Sequence, residues 1–263
     1  SIKDSGPKIG LGRDKIINWI LHKKRLYELK HIAKRAVMLA NSPGAVKELR
    51  DKYSVNAIFC PTNTIKLNDF PKFAVKKTGQ QLKLLFCGRV VPDKGIEDLL
   101  DGLGILKNFG MLPNLIVIGS VKTEYLVKLY NRAEKLGVTG QISFKGFIPF
   151  GASLFHYYMN SDIYILPSWH EGFPHSIWEA ATHCVPVITT PVGGIPSLLS
   201  EDEAFFIKVH SPESIAKMIL QVINQGDMTA IKVFNAYKLA QQYTSEKCAL
   251  KAATIINEKM NES

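Results

Sequence analysis

Glu171 and Glu179 lie eight residues apart in sequence, and two carboxylates at this spacing could act together in binding or catalysis. They bracket Gly172 and Pro174 in the segment HEGFPHSIWE. Residues four apart share one face of an α-helix, but a proline between two residues interrupts a helix there. One carboxylate therefore belongs to a loop, and the other belongs to the helix that starts near Pro174. Because ionised carboxylates only accept hydrogen bonds, both suit a ligand rich in hydroxyl groups, such as a hexose or a ribose.

Two other kinds of site, a zinc site and the site of a glycoside hydrolase, also use histidine or glutamate side chains. A zincin helix needs HExxH on one face, but His170 and His175 are five residues apart with a glycine and a proline between them. A pair of carboxylates also serves glycoside hydrolases, although the loop described next favours an anionic donor. Each glutamate, taken singly, is also compatible with a solvated surface position.

The segment FCGRVVPDKG, residues 86–95, is a second candidate site. Gly88 permits a ligand to approach the backbone, Arg89 can bind phosphate oxygens with two parallel hydrogen bonds, and Lys94 adds a positive charge at the start of a predicted helix. These residues predict a diphosphate clamp. The alternative is a polar loop with a surface salt bridge to Asp93. The segment matches neither the P-loop pattern nor the Rossmann glycine pattern.

The elements that position these residues alternate between short apolar runs and helical patterns from residue 83 onward. This βαβα order predicts an α/β fold, a doubly wound parallel sheet covered by helices on both faces. Such a sheet binds ligands beyond the carboxyl ends of its strands, which is where both candidate segments fall. The predicted strands cover 83–88, 114–120, 141–147, 162–168 and 186–190, and the predicted helices cover 94–109, 123–136, 151–160, 174–183, 211–225 and 229–261.

The first 65 residues have a different organisation. A basic helix over 13–36 precedes two short strands, over 37–41 and 56–61, with a helix that starts after Ser42 and Pro43. These elements are too few for a stable doubly wound domain, and residues 61–71 have the composition of a linker.

Positive charge is concentrated at the N-terminus. The whole chain of 263 residues carries a net charge of +10, and residues 1–35 hold ten basic and three acidic side chains, a net charge of +7. Ile16, Ile17, Trp19 and Ile20 give this segment an apolar side, so it is a candidate for binding an anionic lipid surface. A solvated basic helix is the alternative. No apolar run approaches the roughly 18 residues that span a bilayer.

The four cysteines are far apart in sequence and lie among apolar residues. This pattern is typical of buried, reduced thiols in a cytoplasmic protein.

At this point the motifs resemble those of a known family. EGFPHSIWEA resembles the E-x7-E motif of retaining glycosyltransferases of family 4, which have the GT-B fold. CGRVVPDKG resembles the family's diphosphate-binding loop, and ISFKGFIP resembles its base-contacting strand and turn. SDIYILPSWHEGFP, CVPVITTPVGGIPSLL and the terminal helices follow in the family's order, so that the resemblance covers about residues 83–261. The chain is identified as a member of this family, mainly as its Rossmann-like C-terminal, donor-binding domain.

The resemblance implies roles for residues at the reacting end of the donor. Arg89 and Lys94 would bind the diphosphate and stabilise it as it leaves, and Glu171 would bind hydroxyls of the transferred sugar. These three are the candidate catalytic residues. Gly172, Phe173 and Pro174 would present backbone groups to the donor, and no metal or other cofactor is expected.

At the nucleoside end, the resemblance implies that Glu179 binds the ribose and that Phe147 and Ile148 border the base. Gly88 completes the predicted donor site beside the diphosphate. Two positions depart from the family's pattern. Ser120 lies where a glycine-containing turn is usual, and Ser197 lies where an acid is usual, so contacts at these loops are not carried over.

The resemblance also implies a division of the chain. Residues 1–64 resemble the end of an N-terminal acceptor-binding domain, 65–82 form a linker, 83–228 form the nucleotide-sugar-binding domain, and 229–263 are C-terminal helices. The implied enzyme is a hexosyltransferase type that passes a sugar, with retention, from a nucleotide sugar to a glycan or lipid-linked glycan in polysaccharide biosynthesis.

The implied location is cytoplasmic, with peripheral attachment at the inner face of the membrane, and no nucleic-acid partner is expected. Turnover by this chain alone is expected to be slow or absent. The alternative is a non-catalytic subunit that binds nucleotide sugar, or offers an interaction surface, to a partner chain with the missing N-terminal half. The sequence leaves the sugar, base and acceptor open.

Overall fold

The structure is a computed structural model that describes residues 23–24, 27–76 and 81–261. Residues 27–33 are helical, in agreement with part of the predicted helix over 13–36. The remainder of the basic segment up to residue 22, with the apolar residues on which the lipid hypothesis depends, lies outside the described residues.

A six-stranded, all-parallel sheet forms the centre of the molecule, and a two-stranded parallel sheet lies near the N-terminus. The order of the large sheet is β5-β4-β3-β6-β7-β8. The small sheet consists of β1 (Leu39–Ala40) and β2 (Ile58–Phe59). The large sheet consists of β3 (Lys83–Cys87), β4 (Asn114–Ile118), β5 (Ile142–Gly146), β6 (Ile163–Leu166), β7 (Val187–Thr189) and β8 (Phe205–Phe206).

Helices form most of the connections between the parallel strands of the large sheet, because a parallel crossover must return to the other end of the sheet. The connection from β7 to β8 instead contains the 3-10 turn Ile195–Ser197. In chain order the labelled helices are α1 (Pro43–Tyr53), α2 (Ile96–Asn108), α3 (Thr123–Leu136), α4 (Ala152–Met159), α5 (His175–Thr182), α6 (Pro212–Asn224), α7 (Gly226–Ala240) and α8 (Ser245–Asn261). The α/β doubly wound fold class predicted from the sequence is confirmed.

The core lies on both faces of the large sheet. All four residues of β6 are buried, as are Leu84, Leu85 and Phe86 in β3. Strands covered on both faces have near-continuous apolar sequences, and this explains why the predicted strands are close to the observed ones.

The strand order reverses between β3 and β6. From β3 the chain moves outward through β4 to β5, and it then returns to the other side of β3 to form β6, β7 and β8. The loops that follow β3 and β6 therefore separate in opposite directions and leave a crevice at the carboxyl edge of the sheet. Arg89 follows β3, and Glu171 follows β6.

Two predicted elements were wrong in detail, and one element was missed. Lys94 lies in a 3-10 turn, Pro92–Lys94, and α2 begins only at Ile96, because Gly95 adopts a left-handed conformation with φ of 68°. The predicted helix over 229–261 is two helices, α7 and α8. The second begins at Ser245, where the Thr244 hydroxyl accepts from Lys247 N–H (3.4 Å) and Ser245 N–H donates to the carbonyl oxygen of Ile65 (2.7 Å). The short strand β8 was missed, because its two residues are too few to show a period.

The segment between the two sheets packs against the C-terminal helices. Ile65 is fully buried in the main core, the Asn63 side-chain amide donates to the carbonyl oxygen of Tyr243 (2.7 Å), and the rings of Phe70 and Tyr237 meet edge to face. The division of the chain at residues 64, 82 and 228 remains a prediction.

Three cysteines are buried and Cys87 is half-buried, all as free thiols. Within the described residues, no helix is long and apolar enough to cross a membrane.

Candidate functional site

A cavity of about 550 Å³ lies at the carboxyl edge of β3 and β6, where the strand order reverses. Eight of the ten residues predicted to bind the donor line it. They are Gly88, Arg89, Lys94, Phe147, Ile148, Glu171, Pro174 and Glu179. The fold therefore brings together residues that are up to 91 positions apart in sequence, from Gly88 to Glu179.

Lys94 and Glu171 form a nearly buried ion pair in this cavity. Lys94 Nζ donates to Glu171 Oε1 (2.7 Å) and to the carbonyl oxygen of His170 (3.2 Å), and each side chain of the pair is only 10% exposed. The Ser168 hydroxyl donates to the same Glu171 oxygen (2.7 Å). The lysine is thus paired with Glu171 rather than with Asp93, the alternative partner considered from the sequence.

Arg89 contributes a second positive charge to the cavity. Its side chain is exposed, and it makes no hydrogen bond or ion pair with any residue that the structure describes. An arginine without an acidic partner beside a cavity can offer all five N–H donors to an anionic ligand.

Close backbone approaches hold the two loops in place. Gly95 would carry a Cβ into the carbonyl oxygen of Pro167, and Gly193, with φ of 59°, would carry one into the carbonyl oxygen of Glu171. Gly194 N–H donates to the carbonyl oxygen of Gly172 (2.6 Å). The loop that carries Glu171 is therefore fixed by backbone contacts that leave no space for larger residues.

Glu179 lies in α5 and is 7% exposed. Its Oε2 accepts a hydrogen bond from the hydroxyl of the fully buried Tyr158 (2.6 Å). Burial raises the pKa of the Glu179 carboxyl above its ordinary value, and the hydrogen bond from Tyr158 opposes this shift. The predicted arrangement, with one carboxylate in a loop and one in the following helix, is what the structure shows.

We expect Glu179→Gln to increase thermal stability at neutral and higher pH. Because burial raises the pKa of this carboxyl in the folded state, the unfolded chain releases the proton at lower pH. Stability therefore falls as the pH rises through the folded-state pKa. Glutamine carries no charge and can still accept from Tyr158. Thermal unfolding should give a Tm a few degrees above wild type near about pH 8, with a smaller difference near about pH 4. An unchanged or lower Tm near about pH 8 would contradict the expectation.

Two predicted residues do not line the cavity. Gly172 is exposed beside it, and the ring of Phe173 is buried against Trp178, with ring centroids 4.8 Å apart. The side chain of Phe173 thus belongs to the core. Phe147 lines the cavity but is 73% exposed, so it forms part of the cavity's rim.

Sequence reasoning missed several residues of the site. His175 and Ser176, in the first turn of α5, line the cavity together with Cys87 and Phe150. Burial lowers the pKa of the His175 imidazole and raises the pKa of the Cys87 thiol to about 12. His175 and Ser176 lie inside the segment already singled out, so their position after Pro174 could have indicated them. No feature of the sequence indicated that Tyr158 contacts Glu179.

The zinc alternative has no support in the parts of the chain that the structure describes. Within them, no group of three or more histidine, cysteine, aspartate or glutamate side chains is arranged to hold a metal ion.

Comparison with known proteins gives a family match over most of the chain. The model of the family described as "Glycosyl transferases group 1" matches residues 68–239. Among curated proteins, the chain is 30% identical over 144 residues to the capsular polysaccharide biosynthesis glycosyltransferase CapM of Staphylococcus aureus. That match covers 54% of this chain and 37% of CapM. It is 29% identical over 135 residues to the putative teichuronic acid biosynthesis glycosyltransferase TuaC of Bacillus subtilis, covering 51% of this chain and 31% of TuaC.

Solved structures show the same fold. A glycosyltransferase from Rickettsia africae superposes with a TM-score of 0.78 at 18% identity, covering 90% of this chain and 67% of that chain. HepE of Anabaena, solved in complex with UDP and glucose, gives a TM-score of 0.75 at 19% identity, covering 89% and 67%. At this identity the likeness is one of fold. In these matches the chain spans only 37% of the length of CapM and 31% of the length of TuaC.

Proposed function

The chain belongs to the group 1 glycosyl transferases, and from that premise we propose that it binds the nucleotide-sugar donor of a retaining, family 4 enzyme. The full enzyme would transfer a hexose from this donor to a glycan or lipid-linked glycan, with EGFPHSIWEA as its E-x7-E motif. HepE, a neighbour in fold, was solved with UDP and glucose. CapM and TuaC are both described as glycosyltransferases of polysaccharide or teichuronic acid biosynthesis.

The observation that carries the proposal is the composition of the cavity. One arginine whose side chain has no partner among the described residues, one paired lysine and two carboxylates line a cavity of about 550 Å³ at the point where the strand order reverses. A nucleotide sugar has the complementary chemistry, because it carries a diphosphate between two groups rich in hydroxyls. Cations suit the diphosphate, and carboxylates suit the hydroxyls.

The site suggests an orientation for the donor. Arg89 would bind the diphosphate, and Lys94 would hold Glu171 while its remaining N–H bond faces the ligand. Glu171 would accept hydrogen bonds from the transferred sugar. Backbone N–H groups at the start of α5, after Pro174, would face phosphate oxygens, since a helix N-terminus favours an anion.

At the other end of the cavity, Glu179 would bind the ribose. Phe147 and Ile148 would border the base, and Gly88 would let the diphosphate approach the end of β3. Gly172 and Phe173 would contribute backbone groups only, because the Phe173 ring is in the core.

Negative charge develops on the diphosphate as the sugar leaves. Lys94 is held near that charge by Glu171 and the His170 carbonyl oxygen before the reaction starts, and Arg89 lines the same cavity. Preorganised positive groups stabilise the transition state more than the ground state. We propose that these side chains supply this stabilisation without a resident metal ion.

Beyond the donor, the proposal includes a glycan or lipid-linked acceptor and peripheral attachment of the basic segment 1–35 to the cytoplasmic face of a membrane. The acceptor-binding region would come from an N-terminal half outside this sequence, and residues 1–64 would be the end of that half. Turnover by this chain alone should therefore be slow or absent.

A second candidate function has one observation in its favour. The family match over residues 68–239 contains every residue that lines the donor cavity, so donor binding by itself requires only this region. This candidate differs in that the chain would hold or present the donor without itself forming the acceptor site.

Titration calorimetry with UDP, GDP and ADP tests the proposal. We expect one of the three to bind in the micromolar range and the corresponding nucleoside to bind far more weakly. Absence of binding by all three would overturn the donor-site proposal. Binding with no transfer, even after addition of an N-terminal half, would favour the non-catalytic subunit.

A further inference from the structure

The two oxygens of the Glu179 carboxylate have different surroundings. Oε2 accepts the hydrogen bond from Tyr158 (2.6 Å), and Oε2 is the only oxygen of this carboxylate with a partner among the described residues. Glu179 also lines the cavity. One oxygen is therefore anchored inside the protein, while the other remains available to a ligand.

Tyr158 is itself held tightly. The residue is fully buried, its ring stacks on His183 (centroids 5.8 Å apart, planes at 18°), and a tilted contact with Tyr164 closes another side (5.9 Å). Its carbonyl oxygen accepts a hydrogen bond from Lys76 Nζ (2.7 Å). A ring packed in this way cannot rotate freely, so the position of its hydroxyl is set by the core.

A hydroxyl on α4 thus contacts a carboxylate on α5 inside the core. Tyr158 belongs to α4 and does not line the cavity, whereas Glu179 does. The hydroxyl can donate a single proton, and burial raises its pKa well above the ordinary value, so that it remains a donor. The contact can therefore orient the carboxylate without touching the ligand.

We propose that Tyr158 is a positioning residue that turns the Glu179 carboxylate so that its free oxygen meets a ribose hydroxyl, and that it thereby makes the site prefer ribonucleotides to dideoxyribonucleotides. This inference rests on the proposed function, since it assumes that a nucleotide occupies the cavity. Preorganisation of one acceptor matters because a freely turning carboxylate would lose rotational entropy when the ligand binds.

The contact also influences the charge of Glu179. The hydrogen bond from Tyr158 lowers the pKa that burial raises, so its loss should raise that pKa further. The other titratable or charged groups that face Glu179 or share its cavity are Cys87, Tyr164, His175, His183, Arg89, Lys94 and Glu171.

The test is Tyr158→Phe, which removes only the hydroxyl. Calorimetry should compare whichever of UDP, GDP and ADP binds most tightly with its 2′,3′-dideoxy analogue. We expect affinity for the ribonucleotide to fall about 5- to 10-fold, the effect of one hydrogen bond, while affinity for the analogue stays unchanged. Tyr237→Phe is the matched control, because it also removes a tyrosine hydroxyl bonded to the protein, to the Pro71 carbonyl oxygen (2.8 Å), and it should change neither affinity.

A second measurement does not depend on nucleotide binding. Ionisation of Glu179 makes thermal stability fall as the pH rises. This fall should occur at higher pH in Tyr158→Phe, and it should be absent in Glu179→Gln. Equal losses for the ribonucleotide and the dideoxy analogue, or an unmoved stability profile, would overturn the inference. If no nucleotide binds wild type, the proposed function fails, and the stability profile alone decides whether Tyr158 controls Glu179.

Discussion

Arg89→Ala should weaken the binding of a nucleoside diphosphate roughly 10- to 150-fold and leave the binding of the nucleoside unchanged. Hydrogen bonds between charged groups contribute about 1.5–3 kcal/mol, and each 1.4 kcal/mol is about tenfold in affinity. The Arg89 side chain makes no hydrogen bond or ion pair with any described residue, so its removal leaves no buried partner unsatisfied. The fold should therefore be unaffected, and calorimetry at fixed salt measures the loss directly.

Arg50→Ala is the matched control, since Arg50 is an exposed arginine on α1 whose side chain is 63% exposed beside Asp51. It should leave diphosphate affinity at the wild-type value. The effect of Arg89→Ala should shrink for the monophosphate, because fewer phosphate oxygens are available to the guanidinium. A nucleoside diphosphate that binds Arg89→Ala as tightly as wild type would exclude this arginine from the clamp.

Lys94→Met should destabilise the folded protein by about 3–5 kcal/mol, the usual cost of leaving one charge of a buried pair without its partner. The lysine and Glu171 are both 10% exposed at the side chain and lie 2.7 Å apart. Methionine keeps the apolar stem of lysine, but among the described residues it leaves the Glu171 carboxylate with the Ser168 hydroxyl as its one remaining side-chain donor. Denaturant unfolding at neutral pH measures the change.

The double variant Lys94→Met, Glu171→Gln separates loss of charge pairing from loss of packing. It should recover much of the stability lost in Lys94→Met, because no unpaired charge remains. Lys128→Met is the control for an exposed pair, since Lys128 is 61% exposed beside Glu97 and should cost at most about 1 kcal/mol. Additive losses in the double variant would show that Lys94 and Glu171 are not energetically coupled.

The same pair explains how the loop that carries Glu171 is held. Lys94 and Ser168 both donate to Glu171 Oε1, and backbone contacts of Gly193 and Gly194 hold the loop beneath it. Glu171 is thus oriented before any ligand arrives, and this lowers the entropy that binding must overcome. A surface carboxylate without these partners would not be fixed in this way.

Much of the fold could be predicted from the sequence because strands buried on both faces produce continuous apolar runs. The runs that contain β3, β4 and β6 each end at a glycine or a polar residue, and this places the ligand edge of the sheet. The break before Ser245 was missed, although Thr244 is a residue type that caps helices and its hydroxyl accepts from Lys247 N–H (3.4 Å). The hydrogen bond from Ser245 to Ile65, 180 positions away, had no local signal. Strand β8 has only two residues and showed no pattern.

The candidate site, like the fold, could be predicted only in part. Arg89, Lys94, Glu171 and Glu179 could be singled out because glycine and proline beside them indicate loops and helix starts at a ligand edge. Their partners could not be. Lys94 has Asp93 beside it in sequence, yet its bond is to Glu171, 77 positions away.

The sequence by itself therefore determined the layer architecture and the residues that face the crevice, since both follow from local hydrophobic patterns and turn chemistry. Only the tertiary structure decided which oxygen of each glutamate is bonded to the protein. Lys94 and Ser168 bind one oxygen of Glu171, and Tyr158 binds one oxygen of Glu179. The physical reason is that hydrogen bonds between buried side chains depend on distances across the core, and local sequence carries no record of those distances.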